Sequence, residues 1–331
     1  MKPNRTKQPP VSEEASCLPW KRFLVPVDFS PRSQLAIEYA RALAQKAGAT
    51  LELLFVAEPA PFYSGLEYSP LVVDSQQLAR AAEKQLGEQA ARLKASGVET
   101  RVAVRTGRAF AEICAHATEC GADLIVISTR GYSGMERVLM GSTTEQVVRR
   151  SPCAVLVVRL DARAGGVRRE PHGAIPHLRR VLVPVDFSEL SRHALAYAVA
   201  FARTFGSHLT VFHTSLSVPP PRRLAAFAHQ LELGALRQAQ HDLVTLVKEV
   251  VPENLPADSE VVAGLPGREI LRAAARTKAD LIVMATQGRR GLERWFMGST
   301  AEQTLRYAPC PVLVVRQTDQ GRRSGKLAVT P

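Results

Sequence analysis

The sequence is poor in the residues that announce chemistry. Its five cysteines, Cys17, Cys114, Cys120, Cys153 and Cys310, are odd in number and form no C-x-x-C pair. Such a set weighs against a disulfide framework. Cys153 and Cys310 open matching apolar runs and read as small packing residues. The eight histidines show no ligand spacing along a helix; His172 and His177 fall in a Gly/Pro/Arg-rich stretch and read as solvated loop residues. No metal ligand is assigned. Aromatics are only 6% of the chain, so no stacking platform for nucleic acid is evident. No apolar run approaches the ~20 residues that span a bilayer, and Met1–Pro19 lacks the apolar stretch of a signal peptide. The expectation is a soluble, cytoplasmic chain with no membrane partner. There is no G-x-x-x-x-G-K-[ST] to bring a lysine to terminal phosphates and no G-x-S-x-G elbow. No acid–base pair or partnered nucleophile stands out. Fast hydrolysis or phosphoryl transfer is disfavoured, and no catalytic residue is assigned.

What the chain does have is a copy of itself. KRFLVPVDFS begins at Lys21 and RRVLVPVDFS at Arg179, placing Asp28 and Asp186 158 residues apart. GADLIVIS at Gly121 matches KADLIVMA at Lys278, and SPCAVLVVR at Ser151 matches APCPVLVVR at Ala308. A repeat this long is a domain, far beyond a solenoid unit, and each copy is large enough to bury a core. The expected organisation is an N-terminal arm over 1–19, a first domain over 20–160, a basic linker over 161–177, a second domain over 178–317 and a basic tail over 318–331.

Each half alternates short apolar runs with helical patterns. In the first, strands are expected at 23–27, 51–56, 98–104, 124–127 and 154–158, with helices at 31–47, 75–96, 111–119 and 142–150. The second repeats this with strands at 181–185, 209–212, 259–262, 281–284 and 312–315 and helices at 191–205, 222–250, 269–277 and 299–307. Ser30 followed by Pro31 is a favoured helix start. Near-continuous Val/Ile/Leu strands between helices predict an α/β fold, a parallel sheet covered on both faces. Ligands of such sheets bind beyond the carboxyl ends of the strands, where the winding reverses. If the first and fourth strands are neighbours there, Asp28 and the loop after Ser128 share one crevice, as do Asp186 and the loop after Ala285.

That loop is the strongest motif. TRGYSGMERVLMGSTTE from Thr129 recurs as TQGRRGLERWFMGSTAE from Thr286. Gly131, Gly134 and Gly141, and Gly288, Gly291 and Gly298, are read as positions that allow positive φ or the close approach of a polyanion to backbone amides. Helices starting at Ser142-Thr143 and Ser299-Thr300 would add a dipole worth ~0.3–1 kcal/mol toward an anion. Arg130 and Arg137, or Arg289, Arg290 and Arg294, add charge. A competing reading needs no ligand. Ser142-x-x-Glu145 and Ser299-x-x-Glu302 are capping-box patterns, whose serine would be consumed by its own helix. Asp28 is open to two readings too: a local turn residue, or an acceptor for a base amine or sugar hydroxyl.

Taken in order and twice over, V-P-V-D-F-S, A-D-L-I-V, G-x(9)-G-S and P-C-x-V-L-V-V resemble the universal stress protein family, as a tandem two-domain member. The resemblance implies five-stranded, doubly wound parallel sheets in 3-2-1-4-5 order with helices on both faces. It also implies ATP or AMP as ligand, with Mg²⁺ allowed as the nucleotide's companion. Matched residue by residue, Pro26, Val27, Asp28 and Val56 would hold the base and ribose, and Gly131, Gly141, Ser142 and Thr143 the phosphates. In the second half Pro184, Val185 and Asp186 pair with Gly288, Gly298, Ser299 and Thr300. The first glycine of the family's G-x2-G-x9-G-[ST] pattern is replaced by Ser128 in one half and Ala285 in the other. The resemblance further implies pairing through the last strand, so that Ala154–Val158 meets Val312–Val315 inside one molecule or a homodimer forms.

A net charge of +12 favours acidic partners such as nucleotides. Much of the excess lies in the linker and tail, where arginines read as solvated tethers rather than nucleic-acid readers. Three functions stand: a cytoplasmic adenine-nucleotide-binding regulator in the stress response, a nucleotide-free interaction scaffold of the same fold, and a slow ATPase.

Overall fold

The structure, a computed structural model, describes residues 20–58, 75–129, 140–159, 178–217, 225–286 and 297–316. The first half runs β1 (Arg22–Pro26), α1 (Pro31–Ala47), β2 (Thr50–Ala57), α2 (Ser75–Ala95), β3 (Thr100–Thr106), α3 (Ala109–Glu119), β4 (Leu124–Ser128), α4 (Ser142–Arg150) and β5 (Ala154–Val158). The second runs β6 (Arg180–Pro184), α5 (Glu189–Phe205), β7 (His208–Leu216), α6 (Ala225–Val250), β8 (Ala257–Gly264), α7 (Pro266–Arg276), β9 (Leu281–Ala285), α8 (Ser299–Tyr307) and β10 (Val312–Val315). Local chemistry sets the ends. The Ser30 hydroxyl accepts from the Ser33 amide to start α1, and Gly48, at φ 61°, ends it in a left-handed turn. Ser188 and Gly206 do the same for α5.

Within each half the strands are parallel and ordered 3-2-1-4-5. The two halves join: β5 pairs antiparallel with β10, with Leu156 opposite Leu313, and one ten-stranded sheet results. Side chains alternate across each strand, so neighbouring residues feed opposite faces. Phe23, Val25 and Val27 belong to a core shared with α1 and α2, and that core continues into residues of α5 and α6 in the other half. Leu24 belongs to the core on the other face, which gathers residues of α3, α4, α7 and α8. Asp123 of the A-D-L-I-V motif has a structural role: its Oδ2 accepts from the Lys21 and Arg22 amides at 2.7 and 3.0 Å, and Asp280 repeats this on Arg179 and Arg180. These carboxylates fasten the starts of β1 and β6, at the edge away from the loops of interest.

The joint carries its own chemistry. Trp20, 1% exposed, packs 5.8 Å from the Tyr197 ring of the other half. Arg159 donates to the Leu305 carbonyl of α8, and Arg316 donates at 2.7 Å to the Val148 carbonyl of α4. Each carbonyl lies in a helix's last turn, where no intrahelical amide reaches it, and a cation there suits the helix dipole. Arg149 also lies 3.8 Å from Glu302 across the joint.

His193, on α5, packs edge-on 4.9 Å from Tyr197, and among the described residues its buried Nε2 has no partner. Burial lowers its pKa below the ordinary 6.5, with Glu189 opposing. The folded chain therefore binds this proton less tightly than the unfolded one. The contribution is complete above about pH 6.5, the unfolded value, and is lost as pH falls below it through the lower folded value. His193→Leu, after Leu35 at the matching place in α1, is expected to flatten this slope. Urea midpoints at pH 7.5 and 5.5 should differ less in the variant than in the parent; an equal difference refutes the assignment.

Candidate functional site

β1 is hydrogen-bonded beside β4, both parallel, so the residues leaving the two strands emerge at the same sheet edge. β6 and β9 repeat the arrangement. This is the point where the winding reverses. Asp28 leaves β1 exposed, and Asp186 leaves β6 half-buried. Arg130, Gly131, Gly134, Gly288 and Gly291 lie outside the described residues. The site is therefore built here from its remaining members.

At the base end, Pro26 and Pro184 close their strands, and the amides of Val27 and Val185 bond the Leu54 and Phe212 carbonyls at 2.8 Å. Asp28 makes the local turn that sequence allowed: its Oδ1 accepts from the Ser30 amide at 3.0 Å and the Ser30 hydroxyl at 2.6 Å. Asp186 accepts likewise from Ser188, at 3.1 and 2.5 Å. One carboxylate oxygen is thus tied to the serine that caps the next helix, which fixes where the acid stands. Between them, Phe29 and Phe187 adopt φ 60° and 61°. A bulky residue in the left-handed region costs of order 1 kcal/mol or more, and such strain persists where the surroundings impose it. Phe29 stacks 5.3 Å from Phe55, and Phe187 lies 4.5 Å from His213. Nothing in the sequence pattern reveals this strain, because F-S after an acid reads as an ordinary helix lead-in.

At the phosphate end two expectations fail. Ser142 and Ser299 do not cap. Gly141 and Gly298 are the N-caps, the serines are the first helical residues, and among the described residues neither helix has a side-chain cap bond. The capping-box pattern is one residue out of register with the real helix start. Second, Gly141 and Gly298 have φ −59° and −62°, so neither uses the left-handed freedom of glycine. Their missing side chains matter only for close approach. Ser142 and Ser299 are exposed, and Thr143 and Thr300 half-buried. The first amides of each helix have no intrahelical acceptor, and the serines do not supply one. In the first half Thr144 Oγ1 donates to the Ser128 carbonyl at 2.9 Å, pinning the helix start against the strand end. In the second the Gly298 amide bonds the Thr286 carbonyl at 3.0 Å. Ser128 and Ala285 are half-buried strand ends.

The universal stress protein family pattern matches residues 19–159 and again 177–316. The chain belongs to the universal stress protein family. A universal stress protein of Methanocaldococcus jannaschii is 32% identical over 140 residues, 42% of this chain and 82% of the relative. One from Mycobacterium bovis is 28% identical over 231 residues, 68% of this chain and 73% of the relative. The crystal structure of a universal stress protein from Archaeoglobus fulgidus superposes with a TM-score of 0.63 at 24% identity, covering 89% of this chain and 98% of that one. A Pseudomonas aeruginosa structure gives 0.65 at 19% identity, covering 91% and 94%. These structures share the fold across both halves.

Other chemistry in this universal stress protein is limited. Burial pushes the Cys114 thiol up to about 11 despite Arg316 and Arg150 nearby, and burial also raises Cys120. Neither is a ready thiolate. Among the described residues no group of three His, Cys, Asp or Glu is placed to hold a metal, and no helix is long and apolar enough to cross a membrane. The void at the joint, lined by Trp20, Tyr39 and Leu313 among others, holds about 10 Å³, too little for a ligand. One polar cluster escaped sequence reasoning. His116 Nε2 lies 3.2 Å from Glu52 and its Nδ1 3.2 Å from the Arg105 guanidinium, which can only donate. Thr210 and Ala273 stand at the places of Glu52 and His116 in the second half, so the cluster belongs to one copy. Residues from β2, β3 and α3 form it, and no periodicity predicts their meeting.

Proposed function

We propose that this universal stress protein binds an adenine nucleotide, ATP or AMP, at the β1/β4 crevice, the β6/β9 crevice or both, and serves as a nucleotide-responsive regulator in the stress response. The observation that carries the reading is the twofold convergence at one sheet edge of a fixed carboxylate and a helix start whose first amides no described side chain caps. The acid, held through Ser30 or Ser188, accepts from the base amine or ribose hydroxyls. Pro26, Val27 and Val56 pack against that end, with Pro184 and Val185 in the second half. Gly141, Ser142 and Thr143, or Gly298, Ser299 and Thr300, offer amides and hydroxyls to phosphate, with Gly131 and Gly288 in the preceding loops. Mg²⁺ would travel with the phosphates rather than occupy a protein cage. The strained Phe29 and Phe187 support a functional use of these turns. A nucleotide-free scaffold is the second reading, favoured by Ser128 and Ala285 where the family pattern has glycine.

Calorimetric titration of ATP, AMP and tripolyphosphate into the whole chain tests this. Asp28→Asn and Asp186→Asn together retain an oxygen for the serine turn but replace the carboxylate. They are expected to weaken ATP about 10- to 100-fold, the worth of one or two charge-assisted hydrogen bonds, and to leave tripolyphosphate nearly unchanged. Equal losses for both ligands refute the base-end assignment. No binding by the parent, with no nucleotide found by mass spectrometry in the purified protein, leaves the scaffold.

A further inference from the structure

The two crevices open at opposite ends of the joined sheet, because β5 meets β10 antiparallel. α4 therefore starts at the first crevice and ends against the start of α8. Side chains make the contact. Arg149, in the last turn of α4, holds Glu145 of its own first turn, through Nε at 3.1 Å and Nη2 at 2.9 Å. The same Nη2 lies 3.8 Å from Glu302 in the first turn of α8. Glu302 also accepts from Arg306 of its own helix at 3.1 Å. Among the described residues, Arg149 is thus the cation shared by the two first turns. The side chains of Arg149, Glu145 and Glu302 are 23%, 30% and 36% exposed, neither locked in the core nor free in solvent.

Each acid stands three residues past the serine that opens its helix, about 4.5 Å along the axis. A phosphate at Ser142 lies within one turn of Glu145, and one at Ser299 within one turn of Glu302. Like charges that close repel, and Arg149 offsets the repulsion at whichever acid it holds. It is one cation with two places. A phosphate at the start of α8 draws Arg149 toward Glu302 and leaves Glu145 uncompensated, so the start of α4 holds an anion less well. A phosphate at the start of α4 keeps Arg149 on Glu145 and denies it to α8. The penalty is equal in both directions, as linkage requires. Resting on the nucleotide reading above, we infer that the two crevices are coupled with negative cooperativity and that Arg149 carries the coupling. Partly exposed ion pairs are individually modest, so the second ligand is expected to bind about two- to fivefold more weakly than it would alone. Half-filled chains then persist over a wider range of nucleotide concentration than independent sites would give, which makes the response graded.

ATP is titrated by calorimetry into three forms of the full chain. Besides the parent these are Gly141→Val, which obstructs the first crevice at a backbone position that valine tolerates, φ −59° and ψ 142°, and so reports the second, and Gly298→Val, at φ −62° and ψ 146°, which reports the first. The product of the parent's two stepwise association constants is expected to fall below the product of the two single-crevice constants by the factor given above. The same three measurements with Arg149→Met added, which keeps the aliphatic stem, should bring the two products into agreement. Arg149→Lys, which keeps the charge, should retain most of the deficit. Tripolyphosphate in place of ATP should show the same deficit, because the coupling acts on phosphate charge. Thermal melts of each variant within a few degrees of the parent confirm folding. Equal products in the parent, a deficit that Arg149→Met leaves unchanged, or binding confined to one crevice overturns this inference and leaves the nucleotide reading standing. Failure of ATP and tripolyphosphate alike to bind the parent overturns both.

Discussion

Leu313→Asp is expected to abolish the joined fold. Leu313 is 1% exposed, faces Leu156 across the only antiparallel pair among the described strands, and lines the small void with Trp20, Tyr39, Leu43 and Phe201. The surface that void exposes is apolar. Removing a charge from water into such a place costs several kcal/mol or forces it to take up a proton. A loss of about 4 kcal/mol or more is a large part of a domain's stability. Once β5 and β10 part, each presents an unpaired apolar edge, so aggregation should accompany the loss. Leu313→Ala, which only opens a cavity, should cost about 2–5 kcal/mol and retain a cooperative transition. Thermal melts followed by circular dichroism, with size-exclusion chromatography, check both. A Leu313→Asp protein that melts within a few degrees of the parent as a monodisperse species would show that the halves are held by something else.

Arg316→Ala is expected to give the second-largest effect. Arg316 is 9% exposed, and its guanidinium donates to the Val148 carbonyl of the other half. Truncation leaves that last-turn carbonyl without this donor, worth about 1–3 kcal/mol, and also removes a buried aliphatic stem. The sum is about 2–4 kcal/mol. Arg316→Met, which keeps the stem, should lose only the polar share. Arg159, whose pKa burial lowers, caps Leu305 in the mirror-image way. The two arginines serve different helices, so Arg159→Ala and Arg316→Ala should combine nearly additively in urea denaturation. A strongly sub-additive double variant would mean that the joint opens as a unit once either cap is lost.

Much of the architecture was legible in the residues. Ser30, Pro31 and Gly48 each carry a local instruction, and α1 begins and ends where they say. The limits of α4, α8, β5 and β10 likewise follow the pattern. The site was less legible. Ser142-x-x-Glu145 satisfies the capping-box pattern, yet the helix starts one residue earlier than the motif requires, with glycine as the cap. A cap motif describes only a few residues, whereas the strand end and the packing of α4 fix the axis on which the helix must begin. Positive φ was expected at Gly141 and is found at Phe29 and Phe187. Local propensity would never choose an aromatic there; the Asp–Ser turn and the ring packed on β2 or β7 impose it.

By itself the sequence determined that two α/β domains are duplicated in tandem, because apolar periodicity, turn chemistry and repeated motifs act over a few residues and survive in any context. Only the tertiary structure decided that the implied pairing of β5 with β10 closes ten strands into one continuous sheet within a single chain, and that Arg159 and Arg316 each cap a helix of the opposite half. These depend on which strand edges meet and on which side chains then share a wall. Such meetings join residues from separate elements, often far apart in sequence, and no local pattern records them.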